Sequence, residues 1–187
     1  MESYTLIKII KELNSEIISF LLRFYFPKPD TDIFINDVSS KIQYITYNFE
    51  KPIEEILDSA SERCIALSSR VIMENGIGYI PCMDFQLSIS HENTELITRL
   101  LRDIIIAEEL MGGWLIQSNK SYHFIGKNII SAEKWIQFIG KTLLMRDRET
   151  SVPLVDDRYI GHSLYRMDSP IRISQKDEMY PAIIAEL

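Results

Sequence analysis

Apolar and polar residues alternate strictly in the middle of the chain, from position 83 to position 90. The apolar positions are Met83, Phe85, Leu87 and Ile89, and the polar positions between them are Asp84, Gln86, Ser88 and Ser90. A period of two predicts a half-buried β-strand with one face in the core and one polar face. Because Asp is uncommon in strands, Asp84 marks the polar face either as the floor of a functional site or as an exposed sheet face with an incidental carboxylate.

Helical periodicity predicts four helices around this strand. They span residues 3–25, 52–66, 93–111 and 131–145. Pro27 and Pro29 end the first of them, because proline cannot continue a helix. Asn93 or Thr94 can cap the third. Residues 32–49 are ambiguous between helix and strand.

Shorter apolar segments predict further strands. These segments are residues 69–73, 114–118 and 121–125, and a further short apolar run, residues 152–155, ends at Asp156-Asp157. Asn119-Lys120 separates the second from the third, which predicts a β-hairpin with a two-residue turn. Two further β-like pieces lie within residues 160–174 and bear Arg166 and Arg172.

Composition narrows the class of protein. A chain of 187 residues with 46% hydrophobic content suits a single domain with a real core, and the mixture of strands and helices predicts an α+β domain over residues 1–187. The formal net charge of −7 argues against a protein that coats nucleic acid by charge alone, although a local basic groove stays possible. Cys64 and Cys82, the only cysteines, indicate neither a disulfide framework nor a zinc site. The sequence lacks the run of about 18 apolar residues that a spanning helix needs, so we expect a cytoplasmic protein with no membrane partner.

Three short patterns carry candidate chemistry. Asp84 lies on the alternating strand, Ser121 and His123 share one face of the predicted hairpin, and the acidic pair Asp156-Asp157 closes an apolar run. Taken singly, each pattern has a simpler interpretation. A histidine on a strand is often a surface residue or a core residue whose hydrogen bonds are made within the protein. An Asp pair is often a helix cap or a turn.

The order and spacing of the three patterns resemble the archaeo-eukaryotic primase superfamily, which contains the small catalytic primase subunits and the primase-polymerases. In that family an apolar strand with Asp-x-Asp precedes small-x-His, and an apolar residue followed by Asp comes third. The resemblance runs over residues 26–174. It implies an RNA-recognition-motif-like core, with a small mixed or antiparallel sheet and helices packed on one face. Residues 1–26 would then form an added N-terminal helix and residues 27–187 the catalytic-type core, unless the motifs match by coincidence in an unrelated α+β domain.

The resemblance also implies a role for individual residues. The implied metal ligands, for Mg²⁺ or Mn²⁺, are Asp84, Gln86, and Asp156 or Asp157. The implied nucleotide-binding residues are Ser121, His123, Lys127, Arg166 and Arg172. Asp84, His123 and Asp156 form the implied catalytic set. Hard oxygen ligands and cationic donors are what phosphoryl transfer from a triphosphate requires.

The implied function is metal-dependent transfer of nucleotides from nucleoside triphosphates on a nucleic-acid template. Because the chain is short and acidic, we expect weak template binding alone and help from a partner protein. Three features depart from the family pattern. Gln86 stands in place of the second Asp, the segment from Arg166 to Arg172 lacks the Gly and His of Arg-x-x-Gly-Ser-x-His, and the zinc-binding insertion is missing. The alternative is a non-catalytic module of the same fold that binds a nucleotide or a partner protein.

Overall fold

Two antiparallel β-sheets form the framework of the protein, which is seen in a computed structural model. The structure describes residues 1–25, 43–59, 63–147, 150–176 and 179–187. The elements, in chain order, are a 3-10 helix (Ser3–Thr5), α1 (Leu6–Leu13), β1 (Ile17–Tyr25), β2 (Gln43–Tyr47), α2 (Ile53–Asp58), β3 (Cys64–Met73), β4 (Gly76–Tyr79), β5 (Cys82–Phe85), α3 (His91–Ala107), β6 (Gly113–Ser118), β7 (Ser121–Gly126), α4 (Ala132–Thr142), α5 (Asp157–Arg166), β8 (Ile171–Arg172) and β9 (Ala182–Glu186). Mixed helices and antiparallel sheets confirm the predicted α+β class.

The first sheet has the strand order β2-β1-β3-β4, and the short strand β8 also pairs with β3. β1 pairs along most of β3, while β8 meets β3 only at Ala66 and Leu67. Leu22 and Phe24 of β1 join Ile65 of β3 in the hydrophobic core beside α1 and α2. Their neighbours along β1 therefore face the other side of the sheet.

The second sheet has the strand order β5-β7-β6-β9. Met83 and Phe85 of β5 are buried in one core with side chains of α3 and α4. The helices predicted near residues 93 and 131 thus pack on one face of this sheet. The polar face of this second sheet, which carries Asp84, is turned toward the first sheet. The strand predicted over residues 83–90 is shorter than expected, because its pairing with β7 ends at Phe85, and beyond it Leu87 is half-buried and Ile89 exposed.

The N-terminal segment corrects the prediction of one helix over residues 3–25. α1 ends at Leu13, and β1 begins at Ile17. The Asn14 side chain ends the helix by donating to the carbonyls of Ile10 and Lys127, at 2.9 and 2.8 Å. β1 lies between two partner strands and is buried on both faces, so its apolar run cannot be told from a helical one by periodicity.

Other helix and strand boundaries also differ from the predicted ones. The helix predicted over residues 52–66 is shorter, since α2 ends at Asp58 and residues 64–66 belong to β3. Ser90 caps α3 by accepting from the Asn93 amide at 3.1 Å, so neither Asn93 nor Thr94 is the cap. Arg166 lies at the end of α5 and not on a strand. Of residues 32–49, residues 43–47 form β2, and residues 32–42 lie outside the described residues.

The hairpin prediction is confirmed. β6 and β7 pair from Gly113–Gly126 to Ser118–Ser121, across the two-residue turn at Asn119-Lys120. Asn119 has a φ of 52°, a left-handed conformation that asparagine tolerates better than most residues. Within the described parts of the chain, no helix is both long and apolar enough to cross a bilayer.

Candidate active site

A polar cavity of about 500 Å³ opens between the two sheets. The first sheet contributes Arg23, Tyr25, Ala66 and Arg172 to its lining. The second sheet and its hairpin turn contribute Asp84, Ser118, Asn119, Lys120, Ser121 and His123. Tyr159 of α5, Pro170 and Lys176 complete the lining. A concave site in which polar groups from different elements converge is the usual form of a small-molecule site.

Strand pairing brings Asp84 and His123 together. They are directly opposed residues of β5 and β7, so their side chains share one face, and His123 Nε2 lies 3.4 Å from Asp84 Oδ1. Ser121 is two positions from His123 along β7 and faces the same way. The alternation of the sequence therefore correctly predicts that these three side chains share one polar face.

A different part of the fold brings Asp156 next to Asp84. An isolated β-bridge between Phe85 and Val155 brings the chain beside β5, and the Asp156 amide donates to the Asp84 carbonyl at 3.1 Å. Asp156 also caps α5, because its Oδ1 accepts from the amides of Arg158 and Tyr159 at 2.9 and 3.2 Å. The helix-cap interpretation and the position beside Asp84 are thus both correct for this residue.

Burial and charge raise the pKa of Asp84. Desolvation and, second, the Asp156 carboxylate raise it from 3.8 to about 7, while Arg172 opposes the shift. The Asp84 side chain keeps 29% of its surface exposed in the cavity. Near neutral pH this carboxyl group is divided between its two protonation states, and a cation close by would favour the ionised one.

His123 has the opposite shift. Burial and the nearby Arg172 charge lower its pKa from 6.5 to about 3, so the imidazole is neutral at physiological pH. Its Nδ1 is buried and has no hydrogen-bond partner among the described residues. A neutral imidazole offers one N–H donor and one acceptor nitrogen to a ligand.

Two arginines face Asp84 and His123 from the first sheet. Arg23 of β1 pairs with Ala66 of β3, and Ala66 pairs with Arg172 of β8, so the three side chains form one row across the sheet. Arg172 donates to Ser118 Oγ at 2.7 Å and to the Ser174 carbonyl at 2.8 Å. The small side chain of Ala66 leaves room between the two guanidinium groups.

Arg23 is the less satisfied of the two arginines. It is 8% exposed, and its Nε is buried without a hydrogen-bond partner in the described part of the chain. Its guanidinium carbon lies 5.6 Å from the centre of the Tyr25 ring. Because a buried donor without a partner is costly and this one belongs to a cationic group, the geometry favours an anionic ligand.

The comparison with known protein families agrees with these motifs. The model of a family described as AEP-like, archaeo-eukaryotic primase 1D-like, matches residues 45–185. The chain belongs to this archaeo-eukaryotic primase-like family. No curated protein sequence matches it. The match contains Asp84, Ser121, His123, Asp156 and Arg172, whereas β1, with Arg23 and Tyr25, precedes it.

Some residues that the primase resemblance singled out lie away from the cavity lining. The Gln86 amide donates to the Pro153 carbonyl. Lys127 pairs with Glu186 at 2.7 Å, at the end of β7 opposite to Ser121. Arg166 is in the last turn of α5, and Asp157 is exposed in its first turn. Their roles in metal or nucleotide binding stay predictions.

The described residues contain no group of three or more His, Cys, Asp or Glu side chains that could hold a metal ion. What they contain is the pair Asp84 and Asp156. Mg²⁺ is commonly held by only one or two carboxylates, with substrate phosphates and water as its other ligands. The raised pKa of Asp84, caused in part by Asp156, shows two carboxyl groups whose mutual repulsion a cation would relieve. The pair therefore fits a cation that enters with a phosphorylated substrate.

Several cavity residues were not predicted from the sequence. They are Arg23, Tyr25, Ser118, Lys120, Tyr159 and Lys176. Arg23 and Tyr25 were missed because β1 was predicted as helix. Read as a strand, the same segment alternates between Leu22 and Phe24 in the core and Arg23 and Tyr25 at the cavity, which is the signal that would have found them.

Proposed function

We propose that the cavity binds a nucleoside triphosphate and that the protein transfers its nucleotide to a nucleic-acid strand with the help of Mg²⁺ or Mn²⁺. The observation that carries this proposal is that Asp84 and His123 lie opposite Arg23 and Arg172 in one cavity, with Asp156 bonded through its amide to the Asp84 carbonyl. Membership of a primase-like family supports the same reaction class.

The cationic lining suits the triphosphate. Among the residues that the structure describes, Arg23, Lys120, Arg172 and Lys176 line the cavity against one carboxylate, that of Asp84, although the chain as a whole carries a net charge of −7. Buried arginines bind phosphate oxygens through charge-assisted hydrogen bonds, which strengthen where water is excluded. Because His123 is neutral, it can donate a hydrogen bond to the phosphates without placing a second positive charge beside the metal.

Asp84 and Asp156 would hold the metal together with the phosphates. Mg²⁺ or Mn²⁺ bound there would offset the charge on the reacting phosphate and help the leaving pyrophosphate depart. Asp84 has to be ionised for this role, and Arg172 opposite favours the ionised form. Gln86 and Asp157 extend the proposed metal ligands, with the Gln86 carbonyl oxygen as a neutral donor.

Template binding by the chain alone should be weak. A net negative protein is repelled by nucleic acid, and the binding that remains falls steeply with salt. We therefore propose that a partner protein supplies most of the template affinity.

Incorporation of nucleotides tests this function. The chain is incubated at low salt with Mn²⁺ or Mg²⁺, nucleoside triphosphates and either a primed or an unprimed template, and extension is followed on a gel. Asp84→Asn should abolish extension, whereas Asp103→Asn, an exposed carboxylate on α3, should leave it unchanged.

A second candidate is a non-catalytic nucleotide-binding module. The observation in its favour is that the Gln86 amide, at the position of the family's second carboxylate, donates to the Pro153 carbonyl. Saturable nucleotide binding without extension would support this candidate. Absence of nucleotide binding, with or without metal, would contradict both.

A further inference from the structure

The strand that carries Arg172 into the cavity is unusually short. β8 consists of Ile171 and Arg172, which pair with Leu67 and Ala66 of β3. Successive side chains of a strand point to opposite faces, so a slip of one residue would move Arg172 to the other face of the sheet. Two paired residues provide few backbone hydrogen bonds to prevent such a slip.

A buried carboxylate lies just before this strand. Asp168 is fully buried, and its Oδ1 accepts from Ser68 Oγ at 2.7 Å, from the Ser69 amide at 3.0 Å and from Ser69 Oγ at 3.3 Å. Its Oδ2 accepts from the Tyr44 hydroxyl at 2.8 Å. Ser68 and Ser69 follow Leu67 directly in β3, so these bonds anchor the chain next to the paired residues.

Further bonds extend the anchor. The Ser169 amide donates to Ser69 Oγ at 2.9 Å, and Trp135 of α4 donates to Ser169 Oγ at 3.2 Å. Beyond Arg172, Ser174 Oγ accepts from the Ile65 amide at 2.9 Å. The amides of Ile173 and Ser174 also donate to the Ile65 carbonyl, at 3.0 and 3.2 Å. Beyond Arg172 the chain is thus held to β3 by backbone and side-chain bonds, whereas before β8 the bonds all involve the side chains of Asp168, Ser169, Ser68 and Ser69.

We infer that Asp168 is a positioning residue, which sets the register of β8 on β3 and thereby keeps the Arg172 guanidinium in the cavity. The inference rests on the proposed function in that Arg172 is taken as a phosphate contact. A carboxylate suits this place because four donor groups converge on it from two strands. Hydrogen bonds to a charged acceptor are stronger than those between neutral groups.

A double-mutant cycle on anion binding tests the inference. Inorganic tripolyphosphate is titrated calorimetrically, without metal and at low salt, into the wild-type chain, Asp168→Ala, Arg172→Gln and the double variant. We expect each single change to weaken binding about tenfold, a typical loss for one hydrogen bond to a charged group. The double variant should bind no more weakly than Arg172→Gln alone, since Asp168 acts through Arg172.

The conservative variant and a control sharpen the test. Asp168→Asn keeps an oxygen for the serine donors, so it should restore most of the affinity lost in Asp168→Ala. Arg102→Gln changes the same charge on the exposed face of α3 and should leave tripolyphosphate binding unchanged. If Asp168→Ala does not fold, Ser69→Ala takes its place in the cycle, because it removes one hydroxyl of the anchor and keeps the carboxylate.

Three outcomes would overturn the inference. These are unchanged affinity in folded Asp168→Ala, losses that multiply in the double variant, and no tripolyphosphate binding by the wild-type chain. Losses that multiply, in a chain that still extends a template, would remove the role of Asp168 and leave the proposed function intact. If the losses are coupled but the chain never extends a template, the role of Asp168 would stand and the proposed function would be contradicted.

Discussion

The two sides of the cavity are built in different ways. Asp84 and His123, together with Asp156 next to Asp84, are here called the acidic wall, which rests on the regular pairing of β5 with β7 and on a helix cap. The side formed by Arg23 and Arg172, here the basic wall, rests on β1 and on a strand of two residues that side-chain bonds on one side, and backbone and side-chain bonds on the other, hold to β3. The acidic wall is therefore secured by backbone geometry, and half of the basic wall depends on particular side chains.

The two walls also influence each other electrostatically. The charge of Arg172 lowers the pKa of His123 and opposes the rise in the pKa of Asp84. The basic wall thus influences the protonation of both Asp84 and His123. Variants that remove one wall at a time should have separable effects, which the following predictions order from the largest to the smallest.

Loss of the acidic wall should have the largest effect. Asp84→Asn and Asp156→Asn should each reduce nucleotide incorporation at least about a thousandfold, because each removes one of the two adjacent carboxylates proposed to bind the metal most directly. Tripolyphosphate binding without metal should persist in both variants. Asp156→Asn keeps a side-chain oxygen that can cap α5, so loss of folding would not explain its effect. Incorporation that survives in either variant would contradict the metal assignment.

Loss of the basic wall should weaken anion binding more moderately. We expect Arg23→Gln to reduce tripolyphosphate affinity about tenfold or more, because its buried guanidinium is otherwise poorly satisfied. Ala66→Leu should have a comparable effect without changing any charge, since the added side chain fills the space between the two arginines. If Arg23→Gln left calorimetric affinity equal to that of the Arg102→Gln control, β1 would be a structural strand only.

The pH dependence of stability should separate Asp84 from His123. The folded chain keeps a proton on Asp84 between about pH 4 and 7, where the unfolded chain has released it, so this group's contribution to the free energy of unfolding falls as the pH rises. The pKa of His123 is lowered to about 3, so between that pH and 6.5 the unfolded chain holds a proton that the folded chain lacks, and this contribution rises with pH. The two contributions offset each other between about pH 4 and 6.5.

Single variants should therefore show opposite slopes in urea unfolding at a series of pH values. In His123→Gln the free energy of unfolding should fall with rising pH over that range, and in Asp84→Asn it should rise, each by up to about 1.4 kcal/mol per pH unit. The Asp84 side chain is partly exposed in the cavity, so solvent screening should make the slope measured for His123→Gln smaller than this value. The double variant serves as the control and should lack both contributions. Slopes of the same sign in the two single variants would contradict the assigned shifts.

Gln86 should give the smallest effect. Gln86→Asp adds a carboxylate at the edge of the acidic wall and removes the amide donor to Pro153. We expect Mn²⁺ affinity to tighten several-fold in calorimetric titration, with a small decrease in melting temperature. Gln86→Ala is the matched control, since it loses the same donor without adding charge. Unchanged or weaker Mn²⁺ binding in Gln86→Asp would mean that position 86 is not part of a metal site.

Most of the acidic wall could be predicted from the sequence. Alternation along a strand is a local property, so the polar position of Asp84 and the shared face of Ser121 and His123 can be read from neighbouring residues. The same alternation continues to residue 90, whereas β5 ends at Phe85, where its pairing with β7 stops. The hairpin prediction also rests on neighbouring residues, since only two residues separate its two strands. The convergence of these segments with Asp156 came from resemblance to a family, and the bridge between Phe85 and Val155 supplied its structural reason.

Only the tertiary structure decided the basic wall. The row formed by Arg23, Ala66 and Arg172 joins three segments that are far apart in the chain, and no local period reports which strands become neighbours. The apolar run of β1 suits a helix and a central strand equally well, and pairing on both of its edges selects the strand. Asp168 illustrates the same limit, because its position in a polar sequence gave no sign of burial. Its role depends on donors that folding brings from β2 and β3, and such long-range pairing is a property of the packed molecule.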